Sequence, residues 1–139
     1  MSFLRLFGFP VLALAGTLAS AEVVTVVSAQ NPVTALSRSE VSNIFLGKTS
    51  RFPDGTAAVP IDQPEGSAVR AEFYLSVSNR QPADIKAYWS KMIFTGRGQP
   101  PAVAGNDEQA KKILASRPDA IGYIDRASVD QRIKVLTVQ

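Results

Sequence analysis

A glycine, a serine and an arginine, residue types common in anion-binding sites, lie close together in the stretch DQPEGSAVR, residues 62–70. Gly66 leaves room for a ligand to approach the backbone, Ser67 supplies a hydroxyl donor, and Arg70 can hold an oxyanion with two parallel hydrogen bonds. The first turn of a helix also has backbone amides without partners, at the positive end of the helix dipole. If a helix begins here, the pattern predicts a site for a phosphate-like oxyanion, to which Ala68 contributes its amide.

A plainer interpretation explains the same residues without a ligand. Ser67 then only caps its helix, Gly66 only forms the preceding turn, and Arg70 lies on a solvated face. Helices that begin after Gly-Ser are common, so the local pattern by itself favours this plainer interpretation. The choice between the two depends on where the side chain of Arg70 points.

Two other groups of residues invite a ligand. Gly105 and Asn106 precede a second helix and can also present amides to an anion, although ordinary capping by Asn106 explains them more simply. Tyr88 and Trp89 can stack on a ligand. Their helical spacing from Ile85 instead predicts that they belong to the hydrophobic core.

Composition excludes several kinds of chemistry. The chain has no histidine and no cysteine, so it cannot form a Cys/His zinc site or a nucleophile activated by histidine. The acidic residues do not show the spacing of a calcium loop. We therefore expect no metal, no cofactor and no enzymatic activity. The net charge is only +3, and the basic residues are scattered, so we expect no binding to nucleic acid.

The first 21 residues are predicted to be a secretory signal peptide. Arg5 precedes an apolar run, which ends in the small residues Ala19, Ser20 and Ala21. The run is interrupted by a glycine and a proline and is shorter than the roughly 20 residues of a membrane span. We expect cleavage after Ala21, a periplasmic location, and no membrane insertion after cleavage.

Residues 22–139 alternate between strand and helix patterns, without repeats or an internal linker. This alternation predicts an α/β fold: a single three-layer domain with a mixed sheet of about four strands and helices on both faces. Pro60 favours an edge or a strand end for the second strand. The segment 97–105 is predicted to be a loop. The predicted strands are 22–28, 57–61, 120–124 and 133–138, and the predicted helices begin at the capping box Ser37–Glu40, at Ser67, at Pro82 and at Asn106.

Three segments in order resemble the phosphate-binding components of bacterial ABC importers, which have the type 2 periplasmic binding protein fold. They are LSRSEVSNIFLGK (36–48), VPIDQPEGSAVRAEFY (59–74) and PDAIGYID (118–125). That family holds phosphate at a helix start with the sequence D-G-S-G-T, and the resemblance implies the same role for Gly66, Ser67 and Ala68. Here Val69 replaces the threonine, so one hydroxyl is lost, and Arg70 one position later can compensate.

The resemblance covers one lobe of a family whose members close two lobes over their ligand. A single lobe leaves an anion exposed to water and salt, so we expect weak binding unless a homodimer mate or another protein closes the site. The leading hypothesis is a periplasmic solute-binding domain for phosphate or a similar oxyanion. The alternative hypothesis is a non-enzymatic interaction or accessory module of an ABC importer or a membrane sensor.

Overall fold

The computed structural model describes Gly8 and residues 22–139. Apart from Gly8, the predicted signal peptide lies outside the described residues. None of the helices described is both long enough and apolar enough to cross a membrane.

The centre of the fold is a mixed five-stranded sheet. The strands are β1 (Val23–Ser28), β2 (Ala35–Leu36), β3 (Val59–Asp62), β4 (Ala102–Val103), β5 (Ala120–Asp125), β6 (Ile133–Val135) and β7 (Thr137–Val138). The strand order in the sheet is β4-β3-β5-β1-β6. β3 runs parallel to β4 and β5, whereas β1 runs antiparallel to β5 and β6. β2 and β7 form a separate parallel pair. The predicted mixed sheet is confirmed.

In the described part of the chain, four α-helices accompany the sheet, and their starting points agree with the sequence prediction. They are α1 (Arg38–Phe45), α2 (Ala68–Ser78), α3 (Pro82–Phe94) and α4 (Asp107–Ser116). Ser37 and Glu40 form the predicted capping box, in which each side chain accepts from the backbone amide of the other residue. The side chains of Ser67 and Asn106 cap α2 and α4 in the same way, by accepting from the amides of Arg70 and Gln109.

Buried side chains fall into two clusters, one for each face of the sheet. The larger cluster contains side chains from α1, α2 and α3, including Phe45, Phe73 and Trp89. The smaller cluster contains Leu114 of α4, packed with Ile124 of the sheet. Trp89 is only 6% exposed, which confirms its predicted place in the core. Helices therefore cover both faces, as the alternation of patterns predicted.

The structure differs from the prediction where strands are very short. The predicted loop 97–105 contains β4, and the single strand predicted over 133–138 is divided at Leu136 into β6 and β7. Pro60 lies in β3, an inner strand, but β4 pairs only with Ile61 and Asp62. The Val59 amide donates to Asp119 on the β5 side, so the nitrogen of Pro60 faces the opposite side. Because β4 pairs only from Ile61 onward, the missing proline N–H costs no ladder hydrogen bond.

Candidate functional site

The candidate site lies at the amino end of α2, directly after the carboxyl end of β3. In α/β sheets, ligands commonly bind outside the carboxyl ends of the parallel strands. A tight turn joins the two elements, closed by a hydrogen bond of 3.1 Å from the amide of Ser67 to the carbonyl of Pro64. Gly66 has a φ of +85° in this turn, a conformation that residues with a side chain rarely adopt. The sequence therefore turns sharply and presents the first turn of α2 beside the sheet edge.

Two amides in the first turn of α2 remain available to a ligand. Within residues 22–139, the amides of Ala68 and Val69 have no hydrogen-bond acceptor. Ala68 and Gly66 are exposed, and Ser67 and Val69 are partly exposed. The Ser67 hydroxyl oxygen accepts a 3.3 Å hydrogen bond from the amide of Arg70, which leaves its own proton free to donate. The amide and hydroxyl donors predicted from the sequence thus lie together at one helix start.

An open depression of about 540 Å³ lies beside this helix start and reaches the first turn of α4. Its lining residues are Gln63, Pro64, Ser67, Val69, Gly105, Asn106, Asp107, Glu108, Lys111 and Ser128. The amino ends of two helices therefore share one concave surface, which concentrates positive dipole potential there.

The α4 side of this depression is already occupied by a carboxylate of the protein. Asp107 accepts hydrogen bonds from the Gln63 side-chain amide at 2.7 Å, the Asp125 backbone amide at 3.2 Å and the Ser128 hydroxyl at 3.1 Å. The Asn106 side chain caps α4, so plain capping describes this second helix start. A further anion is therefore accommodated better at α2 than at α4.

The cation in the depression is paired as well. The Lys111 ammonium lies 3.0 Å from Glu108 and 3.1 Å from Asp130, and Arg132 contacts both of those carboxylates. Hydrogen bonds from Lys111 and Arg132 lower the pKa of Glu108, and hydrogen bonds from Arg132 lower the pKa of Asp130. Because both carboxylates stay ionised and hold the cations, this network adds no free positive charge for a ligand.

Arg70 is placed differently from either sequence interpretation. It is only 8% exposed, so it does not lie on a solvated face, and it does not line the depression beside Ser67. Its Nε atom lies 3.5 Å from the Asp62 carboxylate, and its guanidinium lies over the Tyr74 ring at 5.1 Å from the centroid. The structure brings Gly66, Ser67 and Ala68 together but turns Arg70 inward.

Asp62 is the centre of a buried polar network that the sequence interpretation missed. Its two oxygens accept hydrogen bonds from the Tyr74 hydroxyl at 2.6 Å, the Tyr123 hydroxyl, and the Gln63 amide at 2.9 Å. Burial, and then the negative charge of Asp62, raise the pKa of Tyr74 and Tyr123, so both hydroxyls remain protonated donors. The one signal in the sequence was an acidic residue at the end of an apolar strand.

Solved structures contain an α/β lobe with the same fold as this chain. The chain is similar to a Vibrio cholerae ABC-type phosphate transport receptor, with a TM-score of 0.65 and 20% identity over 84% of this chain and 45% of the receptor. A Clostridium perfringens protein described as a phosphate ABC transporter substrate-binding protein was solved with bound phosphate. It has the same TM-score and identity, and the alignment covers 44% of its length. For PstS from Borrelia burgdorferi the TM-score is 0.59 and the identity is 12%, and the alignment covers 47% of the PstS chain.

These similarities show the fold: an α/β lobe like one lobe of a type 2 periplasmic binding protein. The chain spans less than half the length of each of these solved proteins. No protein-family model matches the sequence, and a search of curated proteins finds no match. The comparisons give no support to the homodimer that the sequence analysis considered as one way to close the site.

Proposed function

We propose that residues 22–139 form a periplasmic solute-binding lobe of the ABC-importer type, which binds phosphate or a similar oxyanion at the amino end of α2. The observation that supports the proposal is the pair of free amides at Ala68 and Val69, next to the Ser67 hydroxyl. Backbone amides at a helix start point at a bound anion, and the helix dipole favours its charge. The lobe performs no catalytic step.

Gly66, Ser67 and Ala68 contact the anion in this proposal. Arg70 does not contact the anion and supports the site from the protein interior. The guanidinium and the Asp62 carboxylate lie at an ion-pair distance of 3.5 Å, so their charges largely cancel. Arg70 therefore contributes less to anion binding than the sequence led us to expect. Its main effect on the site is to hold the end of β3 against the first turns of α2.

Binding by the isolated lobe is expected to be weak, with a dissociation constant of about 1 mM for phosphate at low salt. An open site leaves the anion hydrated, and salt screens the helix dipole. Isothermal titration calorimetry of residues 22–139 with inorganic phosphate measures the affinity. Amide chemical shifts in ¹H–¹⁵N spectra locate the site, and the largest changes are expected at Gly66, Ala68 and Val69.

The variant Ala68→Pro removes one of the proposed donors with little disturbance of the helix. Proline is well tolerated at the first position of a helix, and Ser67 already has the extended backbone, with φ −66° and ψ +130°, that a residue before proline requires. Losing one hydrogen bond to a charged ligand costs about 1.5–3 kcal/mol, so we expect phosphate affinity to fall by at least about tenfold.

Ser67→Ala and Ser37→Ala make a matched pair for the same titration. Each serine caps a helix by accepting a hydrogen bond from the backbone amide three residues later. Ser37 caps α1 and does not line the depression. Both variants are expected to lose about 1 kcal/mol of stability, and only Ser67→Ala is expected to weaken phosphate binding. Equal affinities for both variants, or amide shifts centred away from residues 66–69, would contradict the proposed site.

A second candidate function is an interaction module for an importer or a membrane sensor. Phe94, at the end of α3, is 93% exposed, and neighbouring Ile93 is 48% exposed. Adjacent exposed apolar side chains, rather than single ones, mark surfaces that contact a partner. A photo-crosslinking residue at position 94 is then expected to capture a membrane protein in cells, whereas one at Lys112 on α4 is not. Equal capture at both positions excludes this function.

A further inference from the structure

The end of α3 and the segment that leads into β4 carry an exposed apolar patch. Five large apolar side chains are exposed in residues 22–139, and three of them lie here: Ile93, Phe94 and Val103, with Phe94 exposed to 93%. Ile93 and Val103 line the same cleft, and Phe94 directly follows Ile93. These three side chains, the α3 patch, therefore form one surface. Exposed apolar side chains grouped in this way mark a surface that contacts something other than water.

Phe94 lies on the side of α3 that faces away from the protein. Ile85 and Trp89 are buried and mark the inward side of the helix. At about 100° per residue, Phe94 lies roughly 180° around the helix axis from Ile85 and roughly 140° from Trp89. The aromatic ring therefore projects outward and can reach a second surface without any change in the fold.

The charge of the surrounding segment is uneven. Residues 80–103 contain four basic residues and one acidic residue, whereas residues 22–79 and 104–139 together contain ten basic and eleven acidic residues. The one acidic residue, Asp84, lies in the first turn of α3, at the opposite end of the helix from Phe94. The segment around the α3 patch therefore carries a positive charge that the rest of residues 22–139 does not.

Unpaired cations flank the α3 patch. Lys86, Lys91 and Arg97 are exposed, and none of them forms an ion pair with another residue that the structure describes. Glu65 lines the cleft together with Lys86 but lies beyond ion-pair distance of it. By helical geometry, Lys86 and Lys91 lie on opposite sides of Phe94, at roughly 80° and roughly 60° around the axis. Their long flexible stems leave the ammonium groups able to contact an external anion.

We propose that this surface docks the protein onto a membrane that contains anionic phospholipids. Phe94 and Ile93 enter the headgroup region, and Lys86, Lys91 and Arg97 contact the lipid phosphates. Surfaces that bind at the membrane interface combine aromatic or aliphatic side chains with Lys and Arg in this way. Two of the three cations are lysines, which are depleted at interfaces between proteins, so the composition favours a lipid surface over a protein partner. The contact is peripheral and does not depend on the phosphate site at α2.

Sedimentation with lipid vesicles measures the docking. We expect residues 22–139 to bind vesicles of phosphatidylglycerol and phosphatidylcholine at least about tenfold more tightly than vesicles of phosphatidylcholine alone, because each cation near an anionic surface strengthens binding by about fivefold. Salt at about 0.5 M is expected to weaken the binding to the anionic vesicles, since it screens the charges. Ser67→Ala is expected to bind these vesicles unchanged, which separates this surface from the anion site at α2.

Exposed residues elsewhere supply matched control variants. Phe94→Ser is expected to weaken binding to anionic vesicles about tenfold or more, because its aromatic ring no longer leaves water. Leu75→Ser, which changes an exposed apolar side chain of α2, is expected to change the binding less than about twofold. Lys91→Gln is expected to weaken it about fivefold, whereas Lys112→Gln, at an exposed position of α4, is expected to change it less than about twofold.

The absence of cysteine from the chain permits a direct test of the contact. Phe94→Cys and Lys112→Cys each provide one attachment point for a polarity-sensitive fluorophore, and anionic vesicles are expected to shift its emission to shorter wavelength at position 94 only. The proposal is overturned if anionic and neutral vesicles bind alike, if the matched variants behave alike, or if the fluorophore at position 94 stays in water when vesicles are present. Capture of a protein at position 94 without vesicle binding also overturns it and supports the second candidate function instead.

Discussion

Replacing Asp62 with alanine is expected to destabilise the protein by about 3–5 kcal/mol. The carboxylate is 3% exposed and compensates the buried guanidinium of Arg70. It also accepts from the hydroxyls of Tyr74 and Tyr123, which are 1% and 0% exposed. Its removal leaves the guanidinium without its counter-ion and both tyrosine hydroxyls without an acceptor, although the Tyr123 oxygen still accepts a hydrogen bond from the Gln63 amide. Since domains of this size are stable by roughly 5–15 kcal/mol, the variant is expected to be close to unfolding.

Urea unfolding followed by circular dichroism measures this loss. Asp119→Ala is the control, because its ion pair with Arg117 is exposed and is expected to contribute less than about 1 kcal/mol. The double variant Asp62→Leu with Arg70→Met removes both charges together and is expected to recover part of the lost stability. If Asp62→Ala is no less stable than Asp119→Ala, the buried network is not what holds β3 against α2.

Alkaline pH is expected to destabilise the protein through Tyr74 and Tyr123. Their pKa values are raised by burial and by the neighbouring Asp62 carboxylate. A tyrosine in the unfolded chain has a pKa of about 10. Below that pH both states are protonated and the full stability is present. Above it the unfolded state loses protons that the folded state keeps, so stability falls by about 1.4 kcal/mol per pH unit for each tyrosine, about 2.7 for the pair.

The measurement is the free energy of unfolding in urea between about pH 9 and about pH 11.5. Lysine side chains also titrate in this range, so the variants supply the comparison. Tyr123→Phe is expected to roughly halve the alkaline slope, and the double variant with Tyr74→Phe to remove most of it. A slope that is the same in all three proteins would show that other groups cause the alkaline loss.

Local interactions in the sequence were sufficient to predict where most elements begin. Ser37 and Glu40 are three residues apart, as are Asn106 and Gln109, so their capping hydrogen bonds form within one helical turn. The apolar and β-branched run of β1 likewise identifies a buried strand without knowledge of its partners. These predictions succeed because the interactions behind them lie close together along the chain.

Short strands could not be predicted in this way. β2, β4 and β7 have two residues each; β7 lies within the strand predicted over 133–138, but the sequence did not predict β2 or β4. β2 exists only because Ala35 and Leu36 lie beside Thr137 and Val138. β4 exists because Ala102 and Val103 lie beside β3. Two residues contain no periodic pattern, so pairing with a distant partner is the only property that defines them as strands.

For the candidate site, the sequence by itself indicated that a helix begins at Ser67, directly after Gly66, with spare amides in its first turn. Only the tertiary structure decided that Arg70 faces inward. The guanidinium contacts Asp62 of β3 and Tyr74 of α2. Asp62 in turn accepts a hydrogen bond from Tyr123 of β5, 61 residues away along the chain, so the group assembles only when β3, α2 and β5 pack together. The direction of a long charged side chain depends on which buried opposite charge it can reach, and distances along the chain do not contain that information.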